Sequence, residues 1–568
     1  MMNILRIKLS KQEYQYQKLP EKYYTVGGRG FIAGILNDEV APQCYPLGPK
    51  NKLILCTGPT SGLGISSGGR LSIGAKSPLT GGIKESNSGG MGAESLASLG
   101  LRGVILEGKI QDDNWYIIKI DQNNVEFIKA DQYLGLGNYD TKDKLAEKYD
   151  NYHLISIGQS GENKYHNAGL SVTDLFGRAG RMAARGGLGA VLGSKNIKGI
   201  LISSDGEYEH PALKKDEFKK ARKEYHQLVA NADRISVLRE YGTASTVMEV
   251  QELGALPTRN FSEGQFEGAE NLSGENIHDI IQERGGEGEN FEPCMKGCII
   301  QCSNVYPDKD GNELVAPLEY ETLGLIGSNL GLSDPDDVAR INRICNDYGL
   351  DTIETGGVLG VMAEAGLLEF GDAEGFIEAI KEVPDDTWIG RMIGMGTGVT
   401  AKLLNVKRAP VVKNQCMSAY DPRGVKGTGV TYATSPMGAD HTAGLTVFMP
   451  MDHHDKKDQI DVSRNMQVGR AAYDTLGLCV FLMAATAPHP EIIVSMINAI
   501  FDLDKDEDYI TELGEQTIAW EKEFNKKAGL DKSDDRIPEY FKEEELPPFD
   551  LKWDIEDEEL DSIFEDLE

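Results

Sequence analysis

Glycine is spread unevenly along this chain, and two dense stretches of it limit the possible folds more than any other feature. Residues 66–90 read Ser-Ser-Gly-Gly-Arg-Leu-Ser-Ile-Gly-Ala-Lys-Ser-Pro-Leu-Thr-Gly-Gly-Ile-Lys-Glu-Ser-Asn-Ser-Gly-Gly, and residues 177–196 run from Gly-Arg-Ala-Gly-Arg to Gly-Ser-Lys-Asn. Glycine at this density lets backbone come close to something large, with N–H groups free to point at it. Between these stretches lie short apolar runs bounded by turn residues, at 53–55, 103–108 and 115–120, which read as strands.

From about residue 212 the texture becomes helical. Apolar residues recur at i, i+3/i+4, and Ser333-Asp334-Pro335 supplies an N-cap followed by an early proline. That helix is predicted to run to about Asn346 and stop at Gly349, with further helices over 493–503 and 509–527. The fold class is therefore α+β, an N-terminal β-rich unit over 1–205 followed by mainly helical ones. The acidic end, Ile-Glu-Asp-Glu-Glu-Leu-Asp-Ser-Ile-Phe-Glu-Asp-Leu-Glu, reads as a loosely packed tail. No long repeat is visible, but Asn346-Asp-Tyr-Gly-Leu-Asp351 and Asp474-Thr-Leu-Gly-Leu-Cys479 echo one another. They are either two ordinary helix ends or two loops built to hold two similar groups.

Composition (40% hydrophobic, 26% charged over 568 residues) is that of a globular protein. The first ten residues are too short and too charged for a secretory signal, and no apolar run approaches the ~18 residues of a membrane span. A cytoplasmic location without a membrane span is expected. A net charge of −32 argues against nucleic acid as a partner. It reads as a solvated surface, or as one that docks a partner carrying a basic patch.

Eight cysteines without a secretory signal argue against a disulfide framework. Three of them, Cys294, Cys298 and Cys302, are evenly spaced. Zinc, an iron–sulfur cluster or core packing would each use such thiols; a [4Fe–4S] cluster is satisfied by three clustered cysteines and one distant one. Cys345, Cys416 and Cys479 are all candidates for the fourth. The same C-x3-C-x3-C triad occurs in radical enzymes that use S-adenosylmethionine, but there it usually precedes repeated strand–helix units, whereas here it is mid-chain. Glu321 and His441 are candidates for proton transfer if they converge, and otherwise read as structural residues. His453-His454, among aspartates and lysines, reads as solvated surface. Gly-Gly-Arg-Gly and Gly-Gly-Leu-Gly lack the strand, spacing and later acid of a dinucleotide fingerprint.

Taken in order, several motifs resemble the tungsten-containing aldehyde ferredoxin oxidoreductase family. They are Gly-Gly-Arg at 68–70, Lys-Ser-Pro-Leu-Thr-Gly at 76–81, Ser-Asn-Ser-Gly-Gly at 86–90 and Arg-Gly-Gly-Leu-Gly-Ala-Val-Leu-Gly-Ser-Lys-Asn at 185–196. The cysteine triad, Glu-Tyr-Glu at 319–321, Gly-Leu-Asp-Thr-Ile at 349–353, Ala-Tyr-Asp-Pro-Arg-Gly at 419–424 and Gly-Leu-Cys at 477–479 complete the set. The resemblance spans about residues 27–531. It implies a base domain over 1–205 beneath two pterins, a helical domain over 206–405 with the triad and first loop, and a helical domain over 406–568 with the second loop.

The resemblance further implies a tungsten (or molybdenum) bis-pterin, a [4Fe–4S] cluster on Cys294, Cys298, Cys302 and Cys479, and Mg2+ bridging the pterin phosphates through Asn87 and the Met182 carbonyl. Arg70 would lie between cluster and pterin, Arg181 near the phosphates, and Asn346, Asp351 and Asp474 on the pterins. Glu321 and His441 would be the acid/base pair at the metal. The implied reaction converts a small-molecule aldehyde to a carboxylic acid, with electrons passing to ferredoxin or a small iron–sulfur subunit; self-association is left open. The rivals are another low-potential reaction on the same cofactors, such as reduction of an aromatic or carboxylic-acid substrate, and a non-catalytic electron-transfer subunit. Four departures mark a divergent branch: one extra residue in the triad's first gap, Asn346 in place of aspartate, Ala443 in place of lysine, and Arg340 and Arg343 where an E-x-x-H interface metal site belongs.

Overall fold

The computed structural model describes residues 2–209 and 212–567. Twelve strands of the N-terminal region form two six-stranded sheets. The first comprises β1 (Asn3–Lys8), β2 (Glu13–Lys18), β3 (Leu53–Thr57), β4 (Leu71–Lys76), β5 (Ile83–Ser88) and β6 (Leu101–Glu107), in the order β2-β1-β6-β3-β4-β5. The second comprises β7 (Tyr116–Ile120), β8 (Val125–Lys129), β9 (Tyr152–Ser156), β10 (Leu170–Val172), β11 (Arg181–Ala183) and β12 (Ile197–Ser203), in the order β11-β10-β9-β12-β7-β8. Side chains alternate between two cores, as the two-residue strand repeat demands. Leu5, Ile7, Leu53, Leu55, Val104 and Leu106 share a core with Ile118, Ile155, Val172 and Ile200 of the other sheet. The intervening Ile4, Ile54, Cys56 and Ile105 turn instead to helices on the outer face. Both faces are covered, which is why these strands read as continuous apolar runs.

Reversing the second order gives β8-β7-β12-β9-β10-β11, which is the first with six added to every strand number. Each sheet holds one parallel pair, β1/β6 and β7/β12, among antiparallel neighbours. Each has a helix after its second strand (Gly28–Glu39 and Asn138–Ala146) and a short one before its last (Gly92–Ser98 and Leu188–Ser194). The sequence shows no long repeat array, and the duplication appears only in the strand order. The two copies share a topology but few side chains.

The remainder is mainly helical. Pro335–Tyr348 begins at the predicted cap, with the Asp334 carboxylate accepting from the Asp336 N–H, and ends at Gly349. Tyr509–Ala528 packs along Gln459–Leu476, and both lean on Gly28–Glu39. We propose divisions after residues 205 and 405. The helical units share packing: Lys215–Ala230 lies on Pro490–Phe501, with the Leu213 and Lys214 N–H groups bonded to the Ile500 and Ala499 carbonyls. Among the described residues no single helix is long and apolar enough to cross a membrane.

Two expectations are overturned. The acidic end is packed, with Trp553, Ile555, Leu560 and Phe564 buried, Trp553 seated against Gly429, and the Ile563 carbonyl accepting from Arg464. Its apolar residues recur often enough to cover a helix pair while the carboxylates stay outward. His453 is likewise buried, and His454 Nε2 lies 2.8 Å from the Leu253 carbonyl, so these rings fasten loops instead of facing solvent.

Candidate active site

The echoing sequences are two copies of one helix end. Gly349 and Gly477 both take φ of 75°, and their N–H groups return to the carbonyls of Asn346 and Asp474. The next residues, Leu350 and Leu478, reach back to Cys345 and Tyr473, completing Schellman caps. Each cap is seated on one sheet. A Cβ on Gly58, just after β3, would fall 2.0 Å from the Leu476 carbonyl oxygen, and one on Gly158, just after β9, 2.3 Å from that of Tyr348. The Arg70 and Gly169 N–H groups then bond the Gly477 and Gly349 carbonyls. The duplication therefore makes Asp474 equivalent to Asn346, and Cys479 to Asp351. It also pairs Asn87 with Met182, each opposite a serine (Ser72, Ser171) of the preceding strand.

The caps flank a cavity of about 350 Å³. Arg70, Asn87, Arg181, Met182, Cys294, Cys302, Glu321, Asn346, Asp351, His441 and Cys479 all line it. Cys298 and Asp474 lie just behind the wall, Asp474 accepting from Asn87 Nδ2 at 3.2 Å.

At one end the first glycine-dense stretch folds over the triad. Gly90 N–H bonds the Cys294 carbonyl at 2.7 Å, and a Cβ on Gly89 would press on that carbonyl at 2.8 Å. Ser67 ties triad to loop: its carbonyl accepts from the Cys479 N–H at 2.9 Å and its hydroxyl reaches Cys298 Sγ at 3.4 Å. Cys345 and Cys416 lie in the other helical core, away from this group. The extra residue in the triad's first gap is absorbed by a turn, in which Gly297 takes φ of 74° and the Cys298 N–H bonds the Met295 carbonyl. Arg70 donates to Asn87 Oδ1 through Nε at 2.8 Å, so that oxygen is engaged. Arg181 donates to Ser303 and Glu292. Among the described residues no three His, Cys, Asp or Glu side chains are arranged to hold a single metal ion.

At the other end Glu321 Oε1 and His441 Nε2 are 3.5 Å apart. Glu321 Oε2 accepts from the Ala419 N–H at 2.8 Å. Burial pushes the Glu321 carboxyl up to about 8, against the opposing pull of that bond and of Arg185. Burial also pushes the His441 imidazole down to about 3, with Arg185 and Arg470 acting the same way against Asp440. At neutral pH the glutamic acid therefore keeps its proton and the imidazole is neutral. His441 Nδ1 is 2.8 Å from the Ser418 hydroxyl, which Arg185 Nη1 approaches at 3.3 Å. Arginine can only donate, so the Ser418 oxygen accepts from Arg185, and either its second lone pair or its hydrogen meets Nδ1, according to the imidazole tautomer.

Sequence reading missed the residues behind this pair. Arg185 donates to Asp351 Oδ2 and to the Cys416 and Ala439 carbonyls, and Lys84 is ion-paired with Asp440. Burial opposes ionisation of Asp440, but Lys84 and Arg185 outweigh it and hold the carboxyl well below the usual range. The Arg185-Gly-Gly string was the available signal: Gly186 and Gly187 both have positive φ, and that turn aims the arginine inward.

The family model described as "Aldehyde ferredoxin oxidoreductase, N-terminal domain" matches residues 4–204, and the one described as "domains 2 & 3" matches residues 220–565. This chain belongs to the aldehyde ferredoxin oxidoreductase family. It is 33% identical to the tungsten-containing aldehyde ferredoxin oxidoreductase of Pyrococcus horikoshii, over 96% of this chain and 92% of that protein. It is 27% identical to a Pyrococcus furiosus protein named as the WOR-like subunit of aliphatic sulfonate oxidoreductase, over 97% and 90%. A chain of the active site complex BamBC of benzoyl coenzyme A reductase, solved with 1,5-dienoyl-CoA, is 18% identical. It superposes with a TM-score of 0.78 over 94% of this chain and 90% of its own, so the two share the fold. As a member of the aldehyde ferredoxin oxidoreductase family, the chain is an oxidoreductase.

Proposed function

We propose that this oxidoreductase converts aldehydes to carboxylates at a tungsten (or molybdenum) bis-pterin, and passes the electrons through a [4Fe–4S] cluster to ferredoxin or a small iron–sulfur protein. The observation that carries the reading is the juxtaposition, around one cavity, of four gathered cysteines and a half-buried acid/base pair 3.5 Å apart. The wall fits a polar guest, because among the described residues Glu321 Oε1 and Arg181 Nε are buried without hydrogen-bond partners. Buried polar groups of that kind are rarely left unsatisfied.

Cys294, Cys298, Cys302 and Cys479 would hold the cluster, with Arg70 beside it. Asp474, Asp351 and Asn346 would bond the pterins, and Asn87 with the Met182 carbonyl would meet the magnesium, with Arg181 near the phosphates. When bound, the metal supplies Lewis acidity and takes up two electrons. Overall, aldehyde plus water gives carboxylate, three protons and two electrons. His441, in the tautomer that carries hydrogen on Nε2, would donate to the substrate oxygen, and Glu321 in its ionised form would accept a proton.

Anaerobically purified protein, assayed for tungsten, molybdenum and iron and then for turnover on an aldehyde panel, tests this. Cofactor with aldehyde-dependent reduction of ferredoxin is expected. Cofactor with turnover only of other substrates would replace the reaction, and absence of both metals would remove the pterin reading.

A further inference from the structure

Four arginines line the cavity, and three are engaged. Arg70 holds Asn87, Arg181 pairs with Glu292, and Arg185 with Asp351. Arg470 differs. It is only 6% exposed, its Nε and Nη1 have no hydrogen-bond partner, and no ion pair to it forms among the described residues. A guanidinium stays charged and can only donate, so a buried one without an acceptor is costly unless an anion arrives from outside the chain. Asp474, one turn further along the same helix, does not fill that role, since its pairing is with Arg29.

Arg470 reaches the cavity from the helix Gln459–Leu476. It shares the cavity wall with Glu321 and His441 at one end and with Cys294, Cys302 and Cys479 at the other. Apolar groups also line the cavity: Leu445, Phe448, Val480 and Phe481. Phe448 is at the mouth, 39% exposed and stacked at 4.1 Å by the Arg234 guanidinium. A fixed cation beside an apolar wall is complementary to a monocarboxylate with a hydrocarbon tail.

We propose that Arg470 binds the carboxylate group of a monocarboxylate in this cavity, with the tail against Leu445, Phe448 and Phe481. The identification of that anion as the reaction product rests on the aldehyde-oxidation reading. Arg470 thus selects for a single anionic head and holds it near His441.

Equilibrium dialysis of the anaerobic holoenzyme against labelled benzoate tests the site directly, with metal and iron content measured on the same samples. In R470Q the benzoate affinity is expected to fall about tenfold or more, the usual cost of losing a charged hydrogen bond, with metal and iron content unchanged. R470K should be intermediate, and acetate should bind the wild type more weakly than benzoate. Unchanged benzoate binding in R470Q would overturn the proposal. So would loss of tungsten or molybdenum from both R470Q and R470K, which would assign the guanidinium to the cofactor. Arg470-dependent benzoate binding in a protein that turns over no aldehyde would keep the anion site and remove the product assignment, so the two failures are distinguishable.

Discussion

The two halves of the N-terminal region present the same backbone to the cavity and opposite electrostatics. Beside the Gly477 cap the pairing is charged: Arg29 Nη1 lies 3.6 Å from Asp474, and Arg29 forks onto Glu521. Beside the Gly349 cap the corresponding pair is neutral, Tyr139 and Asn346, at 3.4 Å. The last residue of the motif is Cys479 in one half and Asp351 in the other, the first next to Ser67 and the triad, the second bonded to Arg185. Topology therefore fixes where two similar groups can be gripped, while a handful of side chains decides what each grip does. Asn346 thus donates to a tyrosine hydroxyl where Asp474 faces a guanidinium.

The sharpest way to break the comparison is at the equivalent ends of the two motifs. Cys479→Ala is expected to remove the reduced-cluster EPR signal and lower turnover by at least about 100-fold, whereas Asp351→Ala should leave that signal intact. An unchanged signal in Cys479→Ala would reassign the fourth ligand.

Next in size is the pH response of Glu321. Below about 8 its ionised fraction drops about tenfold per pH unit, so a rate that needs the carboxylate should climb to about pH 8 and level off. Stability runs the other way. The folded protein keeps a proton that the unfolded chain releases in the ordinary carboxylate range, so this group's contribution is greatest below that range and is lost as pH rises through about 8. Glu321→Gln should flatten both profiles; a wild-type rate independent of pH from 6 to 8 would exclude the proton role.

The seats should be equally intolerant. Gly58→Ala and Gly158→Ala each place a methyl within 2.3 Å of a backbone carbonyl oxygen, and should each cost about 1–3 kcal/mol by thermal or denaturant unfolding. Only Gly58→Ala should also disturb the cluster spectrum, and a spectral change in Gly158→Ala would mean the halves are coupled. The smallest effect belongs to the neutral pair. Tyr139→Phe removes one bond at 3.4 Å and should cost about 0.5–1.5 kcal/mol, measurable in the same unfolding assay.

Legibility followed the reach of the interactions involved. Caps and strands are local, so Asp334, Gly349 and the run at 53–55 could be read from their neighbours, and the cap echo pointed to the two loops. The duplication could not, because it is carried by hydrogen-bond pairing between distant strands. Nor could the shell around His441: Lys84, Arg185 and Asp440 look like any charged residues until burial makes them partners. The acidic end misled because charge counts outweighed the spacing of Trp553, Leu560 and Phe564. Glu321 and His441 were suggested by resemblance, and it took the fold to bring residues 120 positions apart to 3.5 Å.

The repeated cap also bears on direction. On the proposed reading, electrons leave past Cys479, whose cap sits on one half of a pseudo-symmetric base, while His441 handles protons next to Ser418 and Arg185, the arginine coming from the other half. Protons and electrons are released by one reaction in fixed ratio, so slowing either exit slows both. Which way the reaction runs is then set by the redox poise of the partner and the acidity of the medium, with no moving part to rectify it.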